Sequence, residues 1–394
     1  MKPAAMAAAA LKHGEPAGWC QRRWEQWCNW RDRTVGSARF QHWAAGFVFT
    51  RPVARRRARE LFDIVAGFVY SQVLLACVRL RLFDMLAQGA LSRQDIAAQL
   101  DLPIDSVHRL LDAALSLRLL ETRAQGRIGL GPLGAPMVGN EAVLAMVEHH
   151  ATLYRDLADP VALLRGGGQG SELGRCFPYA SAARPGELPA HDVAAYSALM
   201  TASQPLVAQE ILNAYDFRQH RCLLDVAGGE GRFLTAAAQR CPQLSLMLFD
   251  LPAVAHSGQQ RLQGQGLAAR SRVVGGDFLS DPLPRGADVA TLIRVAHDHD
   301  DARVMHLLRS IHAALPADGT LVLAEPMSGT AGAEPMGDAY FGFYLLAMGR
   351  GRPRRRGELT TMLQAAGFDR VRCLPSRLPL QVGLLVARVA AARP

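Results

Sequence analysis

The 394-residue chain lacks features that mark several classes of protein. Its seven cysteines include no C-x-x-C pair and form an odd number, which argues against a zinc knuckle or a disulfide framework and favours a reducing cytoplasm. It has no long low-complexity tract, and its 49% hydrophobic and 20% charged residues are typical of a folded soluble protein. The opening alanine run is short and weakly apolar, so we predict no cleaved secretion signal.

A long uncharged apolar run is also missing. The stretch 61–88, "LFDIVAGFVYSQVLLACVRLRLFDMLAQ", has apolar residues on nearly every face, which predicts a buried helix. Its longest uncharged part, residues 64–78, is shorter than the roughly 20 residues of a transmembrane helix. We therefore expect a helix buried between subunits or domains, and no membrane span.

The length itself predicts more than one domain. We place a basic extension at residues 1–59, a helical domain at 60–190 and an α/β domain at 191–394.

The net charge of +9 is concentrated before residue 60, where all five tryptophans also lie. Tryptophan rings interleaved with arginines suit a membrane–water interface, because the ring body is apolar while the cations attract anionic headgroups. We therefore expect residues 19–59 to contact a membrane surface peripherally. An arm that packs on its own protein and, less favoured, a nucleic-acid contact are the alternatives.

Residues 92–131 predict two helices followed by a hairpin. Ser92 is an expected helix cap, Pro103 marks a turn between the helices, and Gly126 marks the turn of a two-stranded wing. This pattern is typical of a winged helix-turn-helix. Since the second helix begins with few basic side chains, we expect dimerisation or packing here and no nucleic-acid partner.

The stretch "RCLLDVAGGEGRFLTAAAQRCPQLSLMLFDLPAV" predicts a strand, a glycine turn, a helix and a second strand that ends at Asp250. This is a nucleotide-binding βαβ unit, in which a carboxylate at the tip of the second strand can accept both ribose hydroxyls. Asp277 and Phe278 follow a third strand, where they suit an adenine ring. The chain ends in two consecutive strands, which predicts an antiparallel hairpin. Such a hairpin favours a methyltransferase sheet over a dinucleotide fold.

The segments "LLDVAGGEG", "FDLP", "GGDF", "RVAHDHDD", "LVLAEPM" and "LQAAGF" occur in the order found in class I O-methyltransferases of the caffeate and hydroxyindole type, which this chain resembles over roughly residues 60–390. The resemblance implies an α/β fold with a Rossmann-like methyltransferase sheet, a terminal antiparallel hairpin and an N-terminal winged-helix dimerisation domain. It also implies a homodimer and S-adenosylmethionine (SAM) as methyl donor, with S-adenosylhomocysteine (SAH) as product. Further stretches, among them "DAYFGFYLLAMGRGR", look most like enzymes of purple bacteria that methylate the tertiary 1-hydroxyl of acyclic carotenoids. A hydroxycarotenoid substrate and a cytoplasmic site, peripheral on the photosynthetic membrane, are the corresponding expectations.

Matching the family's motifs position by position implies the cofactor site. The expected cofactor residues are Asp225, Gly228, Gly229, Gly231, Asp250, Leu251, Asp277, Phe278 and Arg294. The chain departs from the family pattern at Ala227, which stands where the family has its first loop glycine. We expect a narrower loop there that still binds the cofactor.

The cluster "RVAHDHDDARV" follows a predicted buried strand, and ligands of open α/β sheets bind outside the carboxyl ends of strands. The resemblance implies that His297 is the general base, followed by Asp298 and oriented by Glu325. The plant enzymes carry a second orienting glutamate, but at or near that position this chain has Pro353, which cannot orient a histidine through a carboxylate. A plain loop capped by Asp300 or Asp301, or a metal site, are the alternatives. We expect no metal, since neighbouring residues in one turn point apart.

The expected substrate residues combine a match to a plant-enzyme methionine with aromatic and histidine positions near the site. They are Met200, His149, His150, Tyr154, Phe341, Tyr344 and Met348. A structural role for the histidine pair and for the 338–349 helix is the alternative. Two other functions stay open at this point: methylation of a phenol or another small hydroxylated metabolite, and a non-catalytic SAM-binding regulator of DNA.

Overall fold

A computed structural model describes residues 19–177, 179, 204–377 and 382–390. The chain divides into two compact units, Met1–Ala76 and Cys77–Pro394. Met200 and the first eighteen residues lie outside the described part.

The first unit is helical, with α1 at Trp19–Gly36, α2 at Ala38–Gly46 and the greater part of α3, Arg51–Arg79. Ser37 caps α2 by accepting a hydrogen bond from the backbone N–H of Phe40. Helix α3 is, by length and composition, the one helix among the described residues that could cross a membrane. The interpretation that it does not span a membrane stays a prediction.

The expectation of one continuous helix over 61–88 is wrong. The helix ends at Arg79, and Arg81 has a left-handed backbone (φ 51°) before the short helix α4, Leu82–Ala87. The large apolar side chains from Leu61 to Val69 are exposed in the single chain, and the expectation that they are buried between subunits or domains stays a prediction. Apolar residues on nearly every face identify a helix that needs a partner, but they do not show whether this chain itself supplies it.

The second unit continues with the predicted helices and wing. Its next elements are α5 (Arg93–Leu100), α6 (Ile104–Ser116), β1 (Leu120–Thr122) and β2 (Ile128–Leu130). Ser92 caps α5, accepting from the N–H of Asp95, and β1 pairs with β2 in antiparallel register. The individual elements are therefore as predicted, while their assignment as a winged helix stays a prediction. Helices α7 (Glu141–Asp156), α8 (Pro160–Gly166) and α9 (Glu172–Cys176) follow.

A seven-stranded sheet organises the rest of the chain, in the order β5-β4-β3-β6-β7-β9-β8. Its strands are β3 (Cys222–Val226), β4 (Ser245–Asp250), β5 (Ser271–Gly275), β6 (Val289–Ile293), β7 (Thr320–Glu325), β8 (Phe368–Leu374) and β9 (Gly383–Val389). Strands β3 to β7 are parallel, and β9 lies antiparallel to both β7 and β8. The predicted terminal hairpin is thus confirmed.

Helices cover both faces of this sheet, which explains why its central strands are apolar throughout. The helices are α10 (204–214 in its described part), α11 (Arg232–Arg240), α12 (Pro252–Gly264), α13 (Asp301–Ala314) and α15 (Arg356–Ala365). Helix α14 (Phe341–Met348) instead packs with α7, α8 and α9. One core lies between the sheet and α13 and α15, and the other between the sheet and α10 and α11. All five residues of β6 are buried. Chain order reverses beside β3, between β4 and β6, and a ligand crevice is expected at such a switch point.

Candidate active site

The glycine loop joins β3 to α11 at the carboxyl edge of the sheet. A side chain at Gly228 would collide with the carboxylate of Asp225, since its Cβ would lie 2.4 Å from Oδ2. Ala227 has a left-handed backbone (φ 52°), which costs a residue with a side chain roughly 1–2 kcal/mol. The expected departure at position 227 is therefore accommodated as local backbone strain in the loop.

Asp225 lies beneath this loop rather than in the crevice. It is 1% exposed, and its Oδ1 accepts a 2.7 Å hydrogen bond from the hydroxyl of Thr291. Burial, reinforced by the nearby Asp250, raises the pKa of Asp225 to about 7. The residue supports the loop from below, and the structure gives it no place among the side chains that line the crevice.

Asp250 ends β4 and faces the crevice. Its Oδ2 accepts from the N–H of Gly229 and its Oδ1 from the N–H of Leu251, both at 2.7 Å. Burial raises the pKa of Asp250 to about 6, against the opposing effect of the two N–H donors. The loop and the strand tip are thus connected through one carboxylate.

A cleft of about 1080 Å³, which includes solvent space at its mouth, lies over these groups. Of the expected cofactor residues, it is lined by Gly228, Gly229, Asp250, Leu251, Asp277, Phe278 and Arg294. Gly231 and Asp225 are not among the lining residues. The mixture of apolar rings, carboxylates and glycine backbone that lines the cleft fits a nucleoside with a charged tail.

His297 lies beside this cleft and is held by Glu325 at the end of β7. Its Nδ1 is hydrogen-bonded to Oε2 of Glu325, while Oε1 accepts from the N–H groups of Val295 and Ala296 at 2.9 and 2.7 Å. Both side chains are buried. Burial alone would lower the pKa of His297, but the carboxylates of Asp298 and Glu325 outweigh it and raise that pKa above the ordinary value. Glu325 thus orients the buried imidazole of His297 through Nδ1.

Asp298 occupies the other side of the imidazole. Its Oδ1 lies 3.1 Å from Nε2 of His297, and its Oδ2 accepts a 2.9 Å hydrogen bond from the hydroxyl of Tyr179. Asp298 and Tyr179 line the cleft, whereas His297 does not. Sequence reasoning missed Tyr179, which no motif marks and which is 119 positions from its partner.

Arg354 supports the backbone that carries His297. Its guanidinium donates to the carbonyl oxygens of Ala296 and His299 and pairs with Asp301. The neighbouring Gly351 has φ 86°, and a Cβ there would lie 2.2 Å from the carbonyl oxygen of His297. Next to Pro353, where the resemblance places a second orienting glutamate, Arg354 therefore anchors the backbone of the His297 loop by hydrogen bonds. Asp300 caps α13 by accepting a hydrogen bond from the N–H of Arg303. The alternative interpretation of the cluster as a helix cap therefore holds for Asp300.

His299 is a second residue that sequence reasoning passed over, although it lies within the same cluster. Its buried ring lines the cleft, 5.2 Å from the ring of Phe278, and burial lowers its pKa to about 4. We assign this neutral side chain to the wall near the expected adenine position.

Two histidine–tyrosine pairs join α7 to the 335–348 segment. His149 Nε2 lies 2.8 Å from the hydroxyl of Tyr344, and His150 Nε2 lies 2.8 Å from the hydroxyl of Tyr340. Burial lowers the pKa of His149 to about 4, with a contribution from His150, so this histidine is neutral at pH 7. The segment begins as a π-helical turn at Pro335–Tyr340, a feature often found at functional sites.

The other expected substrate residues differ in position. The ring of Phe341 lies 5.8 Å from that of His297. Tyr154 is half-buried on α7, whereas Met348 is buried in the core formed by α7, α8, α9 and α14, which favours a packing role for it. Met200 lies outside the described residues.

Metal binding has no support among the described residues, where no group of three or more histidine, cysteine, aspartate or glutamate side chains could hold an ion. The absence of a metal in the reaction stays a prediction.

Comparison with protein families gives two matches. Residues 154–369 match the O-methyltransferase domain, and residues 62–138 match the O-methyltransferase dimerisation domain.

Individual relatives extend the match to nearly the whole chain. The demethylspheroidene O-methyltransferase of Cereibacter sphaeroides is 44% identical over 92% of this chain and 94% of its own length. That of Rhodobacter capsulatus is 42% identical over 81% of this chain and 79% of its own length.

Solved structures agree on the fold. Human N-acetylserotonin methyltransferase in complex with SAM superimposes with a TM-score of 0.69 at 24% identity, over 85% of this chain and 98% of that one. PigF with SAH gives a TM-score of 0.65 at 25% identity, over 84% of this chain and 99% of that one.

Proposed function

Since the chain belongs to the O-methyltransferase family, whose members use S-adenosylmethionine, we propose that it methylates the tertiary 1-hydroxyl of an acyclic hydroxycarotenoid. The observation that carries the substrate class is the 44% identity, over 92% of the chain, to an enzyme named for demethylspheroidene. A buried histidine–glutamate pair beside the cleft supports the type of reaction.

The residues of the cleft fit the cofactor. Asp250 would accept the ribose hydroxyls, Asp277 and Phe278 would hold the adenine, and Arg294 lies toward the adenosyl side. The backbone of Gly228 and Gly229 would pass close to the methionine part, because neither residue has a side chain to block it. Bound SAM supplies a methyl group on a positively charged sulfur, ready for transfer to a nucleophilic oxygen.

His297 would remove the hydroxyl proton as the new oxygen–carbon bond forms. An aliphatic hydroxyl with a pKa near that of water, ~15.7, lies about nine units above an ordinary histidine, so full deprotonation beforehand would cost roughly 12 kcal/mol. Proton removal concerted with transfer avoids a free alkoxide, and positioning of the two reactants supplies much of the acceleration. Glu325 keeps the tautomer and stabilises the imidazolium that results.

The surroundings of the base suit an apolar alcohol. Phe341 lies against His297, and the paired His149–Tyr344 and His150–Tyr340 groups satisfy each other's polar atoms. An aromatic wall with its polar groups already paired favours a long hydrocarbon over a charged substrate.

The dimerisation-domain match at residues 62–138 supports a homodimer. It begins in the part of α3 where large apolar side chains are exposed: Leu61, Phe62, Ile64, Val65 and Phe68. An exposed apolar stripe of this kind is typical of a surface buried between subunits.

We further propose that α1 rests on the membrane that dissolves the substrate, which would make the enzyme cytoplasmic and peripheral on the photosynthetic membrane. At about 3.6 residues per turn, Trp19, Trp24, Trp27 and Trp30 fall on one side of α1, and all four are exposed. Arg23 and Arg31 lie over the rings of Trp19 and Trp27, at 4.9 and 5.4 Å. Cations on an aromatic face can meet anionic headgroups while the rings enter the interface.

Replacing these four tryptophans of α1 with serine should reduce binding to anionic liposomes and slow turnover of membrane-dissolved carotenoid. Each arginine near an anionic surface contributes about 1 kcal/mol, so a second variant with Arg22, Arg23, Arg31 and Arg33 changed to glutamine should lose binding mainly at low salt. Liposome sedimentation and turnover of detergent-solubilised substrate are the two measurements, and the second should change little.

A matched control changes three exposed apolar residues far along the chain to serine: Leu133, Val161 and Leu164. Equal liposome binding by the tryptophan variant, the control and the wild type would mean that α1 does not contact the membrane.

A substrate panel tests the proposed function. With labelled SAM, we expect transfer to acyclic 1-hydroxycarotenoids and little or none to phenols of the hydroxyindole and caffeate type. Preferential transfer to a phenol would overturn the substrate class and leave the reaction type in place.

A further inference from the structure

We infer that Tyr179 is a positioning residue for the base, because its hydroxyl holds the carboxylate of Asp298 against Nε2 of His297. This inference rests on the proposed function for its role in catalysis. The geometry itself is a continuous chain of polar contacts among described residues. Tyr179 is hydrogen-bonded to Asp298 and His297 to Glu325, and a 3.1 Å ion-pair contact between Asp298 Oδ1 and His297 Nε2 joins the two hydrogen bonds.

The carboxylate of Asp298 depends on its donors, because it is buried and 7% exposed. Burial raises the pKa of Asp298, whereas His297 and the hydroxyl of Tyr179 lower it. The Tyr179 hydroxyl is 2.9 Å from Oδ2, which leaves Oδ1 directed at the imidazole. Without that hydroxyl, Asp298 would lose the partner that fixes its orientation and would bind a proton more readily.

A change at Asp298 also changes the pKa of His297, because the Asp298 carboxylate stabilises the protonated imidazole. The ionisable groups that face His297 are Asp298 in its own segment, Glu325 from β7 and Arg294 from the end of β6, with His299 and Tyr179 farther along the cleft wall. Asp298 and Glu325 raise the pKa of His297, and Arg294 lowers it. Neutralising or releasing Asp298 therefore lowers the pKa of the base.

A less basic histidine matters for this reaction because an aliphatic alcohol is a weak acid. General-base catalysis follows the basicity of the catalyst, so a drop in the pKa of His297 reduces the rate above that pKa. In the free enzyme Asp298 lines the cleft and contacts Nε2 of His297. The substrate hydroxyl must therefore share the contact with Nε2 or displace the Asp298 carboxylate from it. Tyr179 then keeps Asp298 in place through its hydrogen bond to Oδ2 of the carboxylate.

The test compares Tyr179→Phe, Asp298→Asn and the double variant by NMR titration of protein labelled at histidine Cε1, with the His297 signal identified by its loss in His297→Gln. We expect Tyr179→Phe to lower the pKa of His297 by about one unit, Asp298→Asn to lower it at least as much, and the double variant to match Asp298→Asn alone. In turnover, kcat of Tyr179→Phe should fall about tenfold, while the acid limb of kcat/KM moves to lower pH and affinity for SAM stays the same.

Tyr215→Phe is the matched control, because it removes a 2.7 Å tyrosine–histidine hydrogen bond, to His220, outside the cleft. It should leave the His297 titration unchanged. An unchanged titration in Tyr179→Phe would overturn the inference, and so would an equal shift with and without Asp298, since Tyr179 would then act by another route. The titration needs no substrate, so a wild type that fails to methylate hydroxycarotenoids would contradict the proposed function alone.

Discussion

Replacing His297 with alanine or glutamine should reduce methyl transfer by about 10²-fold or more, while affinity for SAM stays near wild type. The reason is positional: His297 is held by Glu325 beside the cleft but does not line it, so the cofactor loses no contact. Its loss removes the acceptor of the hydroxyl proton, which concerted transfer requires. Single-turnover experiments with labelled SAM measure the rate of methyl transfer, and calorimetry measures the affinity for SAM.

His256→Gln is a suitable control for this experiment, because His256 is an exposed histidine of α12 whose ring contacts Gln260. It should have wild-type kinetics. An undiminished single-turnover rate in the His297 variants would remove that residue from the mechanism, whatever the fate of the substrate assignment.

Asp250→Ala should weaken SAM binding by roughly 1.5–3 kcal/mol, or about 10- to 150-fold in Kd, because the ribose would lose a charged acceptor. Asp250 also accepts from Gly229 and Leu251, so alanine releases the glycine loop as well. Asp250→Asn retains a carbonyl acceptor and should fall between alanine and wild type. Calorimetry on all three proteins, with thermal unfolding as a check on the fold, separates these effects.

The same carboxylate predicts how binding depends on pH. With a pKa of about 6 in the free protein, Asp250 is ionised above pH 6 and protonated below it. Since the ionised form is the better acceptor, the affinity for SAM should fall as the pH drops through 6, and this dependence should be lost in Asp250→Asn. Identical affinities for the aspartate, asparagine and alanine proteins would contradict the placement of the ribose.

The parts of the site that could be predicted from sequence are those that depend on short patterns of neighbouring residues. A buried strand followed by glycines and a helix places the loop at Gly228, and the next strand places Asp250, because parallel strands of a βαβ unit end at the same edge. Two consecutive strands with no intervening helix predict the terminal hairpin, because parallel strands would need a longer crossover connection between them.

The rest depends on contacts between distant segments. Nothing near Tyr179 in the sequence indicates that its hydroxyl reaches Asp298, and nothing around Arg354 indicates that it binds the carbonyl oxygens of the His297 loop. The end of α3 was mispredicted because the apolar pattern continues past Arg79, whereas the left-handed backbone of Arg81 ends the helix there. Asp225 belongs to the family's glycine-loop motif and was expected to bind the cofactor, yet the structure places it under the loop. The position of a residue in a motif does not determine which way its side chain points.

The most direct measurement of the central claim identifies the atom that receives the methyl group. The purified wild-type protein is incubated with SAM carrying a ¹³C methyl and an acyclic 1-hydroxycarotenoid, and the product is examined by NMR and mass spectrometry. Our account predicts one labelled methyl ether on the tertiary oxygen, formed by the wild type and the His256→Gln protein but barely by His297→Ala. A labelled methyl group on carbon, or no labelled carotenoid while a phenol is methylated, would contradict it.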